Sequence, residues 1–364
     1  MGSRLTGSCW QGIVGQGAAR PQSLSMSSQR SLAVSGSDAV VIRAPAKLNL
    51  SLAVLARRPD GYHEIESLMV PVTLHDTVRV RPRPDATITL AVEYGGRLAE
   101  PEGRSLARDV PVDASNLVVR AATALRDAAG VAGGLDIELV KEIPSGAGLG
   151  GGSSDAAAVL LAAARVWQLD WPRERLAAVA AGIGSDVPWF FAAGPAVARG
   201  RGEAVEPVAG IPPLPAVIAC PAAGLSTAAV YAACTPDAAR RGEAGLLASA
   251  LAAGGLPAAK ALMHNALEAP ARRLCPDVDR LLAALARAGA SAPRLTGSGS
   301  ACFALAGTAT EARTIAGRLQ AERVGGQPAW PGVFTVRLAL PGPPSAVEPQ
   351  GVGEGCAEVR GDDV

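Results

Sequence analysis

The chain of 364 residues is poor in aromatic side chains: five Trp, three Tyr and four Phe, or 3% of the total. So few rings cannot form the stacking platform that single-stranded nucleic acid needs. Charge of one sign is also lacking. Lys and Arg number 34 and Asp and Glu 33, a formal net charge of +1, which argues against a phosphate backbone as partner. The six cysteines form no Cys-x-x-Cys pair and no zinc-finger spacing with the three histidines, so neither a structural zinc nor a disulfide framework is expected. Scattered thiols in a core-rich chain read as a protein of a reducing compartment. No run of apolar residues is long enough to span a bilayer; the longest, around Ala156 to Leu169, is interrupted by Arg165.

What is present is a large apolar fraction, 49%, punctuated by 42 Gly and 28 Pro. Residues 1–38 read as a disordered extension or a targeting segment: the first 37 hold three Arg and no acid, as a transit peptide does, and Met26 offers an alternative start. From Pro341 to Val364, four Pro and five acidic residues without periodicity read as a disordered, solvated tail. Between them, short strands are expected at 40–43, 48–55, 65–72, 77–81, 86–92 and 135–140. Helices are expected at Asn116–Ala128 (with Ser115 as cap), Ser153–Gln168 and Pro172–Ala181. A second body begins near Pro207. It carries strands at 216–220, 302–305 and 333–338, and helices at 227–233, 243–252, 265–274, 278–288 and 310–320. Mixing without regular βαβ alternation predicts an α+β fold in two domains, 39–207 and 208–340, hinged at the proline-rich 211–215.

The strongest chemical signal lies between a strand and a helix: Pro144-Ser145-Gly146-Ala147-Gly148-Leu149-Gly150-Gly151-Gly152-Ser153-Ser154. Glycines admit positive φ and close approach of a ligand to the backbone, and the following helix start offers unpaired N–H groups to an anion. A Walker A loop would need Gly-Lys-Ser/Thr, and no Lys is present; a Rossmann turn would need a later acidic residue, also missing. A phosphate loop of another kind remains, with Ser153 or Ser154 able to add a hydroxyl. Three further pieces accompany it. Lys47 and Asn49 lie two residues apart on one strand face, Asp186 sits in Gly184-Ser185-Asp186-Val187-Pro188 before bulky apolar residues, and Thr296-Gly297-Ser298-Gly299-Ser300 turns into a strand. His75 and His264 read as structural.

These pieces in this order resemble the GHMP kinase superfamily over about Val41 to Leu338. Pro45-Ala46-Lys47-Leu48-Asn49-Leu50, followed by Arg58-Pro59-Asp60-Gly61-Tyr62-His63-Glu64, resembles one branch of it. That branch phosphorylates the 2-hydroxyl of a cytidylyl-diphosphate sugar alcohol on the way to isoprenoid precursors. The resemblance implies a ribosomal S5-like N-terminal domain, a ferredoxin-like C-terminal domain and an active site between them, with ATP as donor and Mg²⁺ as companion. It implies Lys47 and Asp186 as catalytic pair, and Asn49, Tyr62, His63 and Tyr231 around the acceptor. Asn116 and Lys141 are implied near adenosine, Pro144 and Gly148 to Ser154 (Leu149, Gly150, Gly151, Gly152 and Ser153 among them) at the phosphates, and Gly297 to Ser300 as third motif. No metal ligand is assigned. Met69 stands where the family often has an aromatic, and Ser298 where it more often has Thr. A mevalonate- or homoserine-type kinase would share the loop but have no use for Asp60-Gly61-Tyr62-His63. A non-catalytic nucleotide-binding module would be expected to lose the Lys47–Asp186 pair. The expected partner is a small molecule, with no nucleic acid or membrane, on a monomer or weak homodimer in the cytoplasm, or in a plastid if the first 37 residues are a transit peptide.

Overall fold

Two sheets lie back to back, each covered on its outer face by helices. The structure is a computed structural model that describes residues 39–192, 194–338 and 346–347. In the first sheet, β1 (Val40–Arg57) and β2 (His63–Arg83) pair antiparallel along nearly their whole length. The end of β2 pairs with β4 (Gly134–Lys141), which runs parallel to β3 (Ile88–Tyr94). The start of β2 pairs instead with β5 (Ala196–Gly200), and β5 with β6 (Ala204–Pro207). Four short strands were expected where the two long strands β1 and β2 stand. Pro45, which falls in the gap between two expected strands, and its neighbour across the sheet, Pro71, are absorbed where the pairing slips between Pro45 and Lys47, a bulge that relieves the missing amide donors.

The second sheet orders β10 (Gly332–Arg337), β7 (Pro215–Cys220), β9 (Cys302–Leu305) and β8 (Arg294–Leu295), all antiparallel. Numbered along the chain, that order is 4-1-3-2, the ferredoxin-like arrangement. The α+β expectation is met.

Alternation along the strands sorts the core. On β1, Ala46, Leu48 and Leu50 pack with Ile218, Phe303 and Leu305 of the second sheet in one apolar cluster. Lys47 and Asn49, between them in sequence, face the other way. The outer face of the first sheet is covered by α1 (Leu117–Ala129), α2 (Gly151–Val166) and α3 (Arg173–Ala181). The outer face of the second is covered by helices Pro276–Arg287 and Ala309–Ala321. The expected hinge is a packed connection, because Ile211 belongs to the shared core and Pro215 starts β7.

The cap of α1 is Asn116, not Ser115: Asn116 Oδ1 accepts the Val118 N–H at 2.8 Å, while Ser115 is drawn to Asp113. Residues 1–38 lie outside the described residues. Of the tail, Ala346–Val347 pairs with Val41–Ile42, so this stretch is not wholly outside the fold; β1 offers an open edge there.

Candidate active site

The glycine loop is tied down on three sides before it reaches α2. Asp76 Oδ1 accepts the Glu142 and Ile143 N–H groups at 2.6 and 2.8 Å, anchoring the start of the loop to β2. The Ala147 carbonyl accepts the Ala301 N–H at 3.1 Å, and the Leu149 carbonyl accepts the Lys47 N–H at 2.9 Å. Gly148 and Gly150 hold φ of +81° and +73°. A Cβ at Gly148 would lie 2.3 Å from the Thr296 carbonyl, and one at Gly150 would lie 2.9 Å from Lys47 Cγ. The loop is glycine-rich because it is squeezed between β1 and the third motif while turning left-handed. Beyond it, the first N–H groups of the sixteen-residue α2 have no intrahelical acceptor, so they and the helix dipole present a positive field.

Lys47 is 3% exposed and its Nζ donates to Asn49 Oδ1 at 2.6 Å and to the Gly148 carbonyl at 2.8 Å. Burial pulls this ammonium below the usual lysine range, and only the charge of Asp186 opposes the shift. Lys47 and Asp186 make no direct ion pair; they border the same cavity of about 850 Å³. Asn49 Nδ2 donates to Ser67 Oγ at 2.8 Å, and the Asn49 N–H donates to Thr296 Oγ1 at 3.1 Å, which locks the strand to the third motif. Asp186 precedes a 3-10 turn, Pro188–Ala192, whose Trp189, Phe190 and Phe191 are buried under α2 and α3. That packing fixes the height at which the carboxylate enters the cavity.

The far end of the same cavity is aromatic. Tyr62, 53% exposed, comes from the β1–β2 turn, His63 from the first position of β2, and Tyr231 from the helix Thr227–Ala232. The His63 and Tyr231 rings lie 5.2 Å apart. Burial and the charge of Arg57 hold His63 below the ordinary imidazole range, so the ring is neutral at neutral pH. His63 Nε2 is buried without a hydrogen-bond partner. Burial, reinforced by the Asp186 charge, pushes the Tyr231 phenol up, so it stays protonated.

The sequence expectations therefore divide. Lys47, Asn49, Tyr62, His63, Met69, Gly148, Gly150, Ser153, Asp186, Tyr231, Gly297 and Ser298 all line the one cavity. Ser298 Oγ meets Thr227 Oγ1 at 2.8 Å, so the third motif and the Tyr231 helix are joined. Other positions work behind the wall. The Leu149 side chain is core, Gly151 packs on Ile143 and Lys141, and Gly152 faces Leu117. Pro144 and Ser154 are buried, Gly299 is pressed by Leu295 and Leu225, and Ser300 Oγ donates to the Ala223 carbonyl at 2.6 Å. Asn116 and Lys141 do not reach the cavity with their side chains. Asn116 is occupied as a cap, its Nδ2 donating to the Pro111 carbonyl at 2.6 Å. Lys141 is buried between Asp76 and Asp155, beneath the loop.

Several participants had no visible signal in the sequence. In sequence Thr296 is one polar residue of a glycine turn, and nothing local marks it as the acceptor of the Asn49 N–H. Asn265, on the short strand His264–Asn265 beside β1, donates to the Leu295 and Gly297 carbonyls at 2.9 and 2.8 Å and so shapes the third motif. Arg201, in the turn between β5 and β6, stands in the cavity wall, and that hairpin itself was not expected. Among the described residues no cluster of His, Cys, Asp or Glu could hold a metal by itself, and no helix is long and apolar enough to cross a membrane.

Comparison with known proteins gives this geometry its class. The family described as GHMP kinases N terminal domain matches residues 116–194, and GHMP kinases C terminal matches 247–324. A homoserine kinase from Cytophaga hutchinsonii shares the fold, with a TM-score of 0.61 over 84% of this chain and 96% of that one at 22% identity. Nearer relatives narrow the class. The 4-diphosphocytidyl-2-C-methyl-D-erythritol kinase of Pelotomaculum thermopropionicum is 41% identical over 76% of this chain and 92% of its own length. That of Deinococcus radiodurans is 41% identical over 82% and 93%. A crystal structure of 4-(cytidine 5'-diphospho)-2C-methyl-D-erythritol kinase superposes with a TM-score of 0.62 at 37% identity, covering 81% of this chain and 98% of that one. The chain is a GHMP kinase and belongs to the 4-diphosphocytidyl-2-C-methyl-D-erythritol kinase family.

Proposed function

We propose that the protein transfers the γ-phosphoryl group of ATP to the 2-hydroxyl of 4-diphosphocytidyl-2-C-methyl-D-erythritol, giving the 2-phosphate and ADP, in isoprenoid precursor synthesis. One observation carries this reading. A single cavity has the phosphate loop, Lys47 and Asp186 at one end and Tyr62, His63 and Tyr231 at the other. Phosphoryl transfer through a loose transition state asks for positioning and charge neutralisation. The α2 amides cradle the phosphates, and Lys47 neutralises the oxygens of the moving group. Asp186 accepts the proton of the acceptor hydroxyl as its oxygen bonds to phosphorus and the bond to the ADP oxygen breaks.

The unpartnered Nε2 of neutral His63 can bond the edge of a pyrimidine, while the rings of Tyr62 and Tyr231 supply stacking faces. Any Mg²⁺ would take oxygen ligands mostly from the triphosphate and water, with a loop hydroxyl such as Ser153 beside it; it would supply charge neutralisation at the phosphates. The domains we assign are 39–207 for the loop and catalytic pair and 208–340 for the third motif and Tyr231. The described cysteines are free and buried, which suits a reducing cytoplasm. An ATPase-coupled assay with the cytidylyl acceptor, mevalonate and homoserine in parallel tests the proposal. Turnover confined to the cytidylyl acceptor is expected, and turnover of mevalonate or homoserine without it would refute the reading.

A further inference from the structure

The cavity wall contains one cation that the protein leaves uncommitted. Arg58 is taken by Asp60 at 3.2 Å and Glu64 at 2.9 Å, and Arg57 donates to the Ala232 carbonyl at 3.1 Å. Lys47 is held by Asn49 and Gly148. Arg201 has no ion pair and no side-chain hydrogen bond among the described residues. Its guanidinium lies over the Tyr62 ring, 4.9 Å from the centroid, and Asp60 is close enough to feel its charge but not to bind it. Two glycines with positive φ, Gly200 at +73° and Gly202 at +122°, set the turn that carries it. The Glu203 carboxylate accepts the Arg201 N–H at 2.6 Å and stiffens that turn. A Cβ at Gly202 would stand 3.4 Å from Asp186 Oδ1, so the turn rests against the phosphoryl-transfer end while Arg201 leans on the aromatic end.

We infer that Arg201 binds the diphosphate of the acceptor, between its base and its sugar alcohol. This rests on the proposed function: a ligand with its base at Tyr62 and its hydroxyl at Asp186 must lay its diphosphate along the wall between them, where Arg201 stands. A planar guanidinium suits two adjacent phosphates, because it offers paired donors and is cheaply desolvated on an aromatic face. Having no carboxylate to give up, it exchanges only water for phosphate.

The test is a binding ladder of cytidine, CMP and CDP on the wild-type protein, Arg201→Ala and Arg201→Lys, with steady-state kinetics alongside. In the wild type, affinity should rise from cytidine to CDP. In Arg201→Ala that rise should shrink by about 10- to 100-fold, the worth of a charge-assisted hydrogen bond or two, with cytidine itself bound within about threefold of wild type. The KM for the cytidylyl acceptor should rise by a similar factor and the KM for ATP stay within about twofold. Arg201→Lys should recover part of the loss. An unchanged CDP-to-cytidine ratio in Arg201→Ala overturns the inference, as does an equal loss of cytidine and CDP, which would make Arg201 a mere support for Tyr62. Should Arg201→Ala not fold, Arg201→Gln is read in its place. Wild-type protein that binds neither cytidine nor CDP overturns the proposed function and this inference together, whereas wild-type turnover with an unaltered acceptor KM in the variant overturns the inference alone.

Discussion

Two lysines, Lys47 and Lys141, are buried within reach of the same glycine loop, 3% and 2% exposed, and their surroundings are opposite. Lys141 sits between Asp76 and Asp155, and the two carboxylates outweigh its burial and raise its pKa. Lys47 has only neutral oxygens in contact, and burial outweighs the distant charge of Asp186 and lowers its pKa. A compensated ammonium holds structure: Lys141 ties β4 to β2 and to α2 at the point where the loop begins and ends. An uncompensated one is unpaid electrostatic work, recovered when a phosphate arrives. The same residue type, at the same depth, is scaffold in one place and reagent in the other.

Substitution should separate the two by sign. Lys47→Met should lower turnover by about 10³-fold or more while the urea midpoint stays level or rises, since a buried, unpaired charge is removed. A loss of stability there would erase the distinction. Asp186→Asn should cut turnover by about 10²- to 10⁴-fold and leave ATP affinity nearly intact in a binding titration; near-wild-type turnover would remove Asp186 from the reaction. Lys141→Met should do the reverse of Lys47→Met. It strands two buried carboxylates and should cost about 3–5 kcal/mol in urea unfolding.

Smaller effects concern pH. Because Lys47 titrates below the ordinary lysine value of about 10.4, the alkaline limb of kcat/KM should fall below that pH, and saturating ATP should move it upward. A limb unmoved by ATP would argue that the ammonium does not face phosphate. Burial, with the Asp76 charge behind it, holds the Asp155 carboxyl above its usual range, so the folded chain keeps a proton that the unfolded chain releases above about pH 3.9. That contribution is full below pH 3.9 and is lost as pH rises through the raised value. Asp155→Asn, which cannot ionise, should flatten this slope in melting temperature against pH, the smallest of the expected changes.

The reading of the loop, of Lys47 and Asn49 on one strand face, and of Asp186 before an apolar turn needed only local pattern, because glycine spacing and strand alternation are short-range facts. Lys141 could not be placed that way. Its partners are 65 and 14 residues away, and in sequence it is one charge at the end of an alternating strand, indistinguishable from a solvent-facing one. Asn116 was visible beside a helix start, yet whether its amide serves a ligand or its own helix depends on the Pro111 carbonyl and the Val118 amide being in reach. The β5–β6 hairpin escaped because five residues, Ala196 to Gly200, are too short and too alanine-rich to show a period, although they pair fully with β2. Arg201 was lost with it.

By itself the sequence determined the elements with strong periodicity and the one helix mouth suited to an anion, since these follow from steric and hydrogen-bonding rules acting over a few residues. Only the tertiary structure decided which charges are answered. Packing the two sheets on a shared core brings Thr296 to Asn49 and Tyr231 to His63, pairing of β2 with β4 brings Asp76 to Lys141, and neither gives Lys47 or Arg201 an anion. Electrostatic cost depends on burial and on distance through space, and neither is written in the order of the residues.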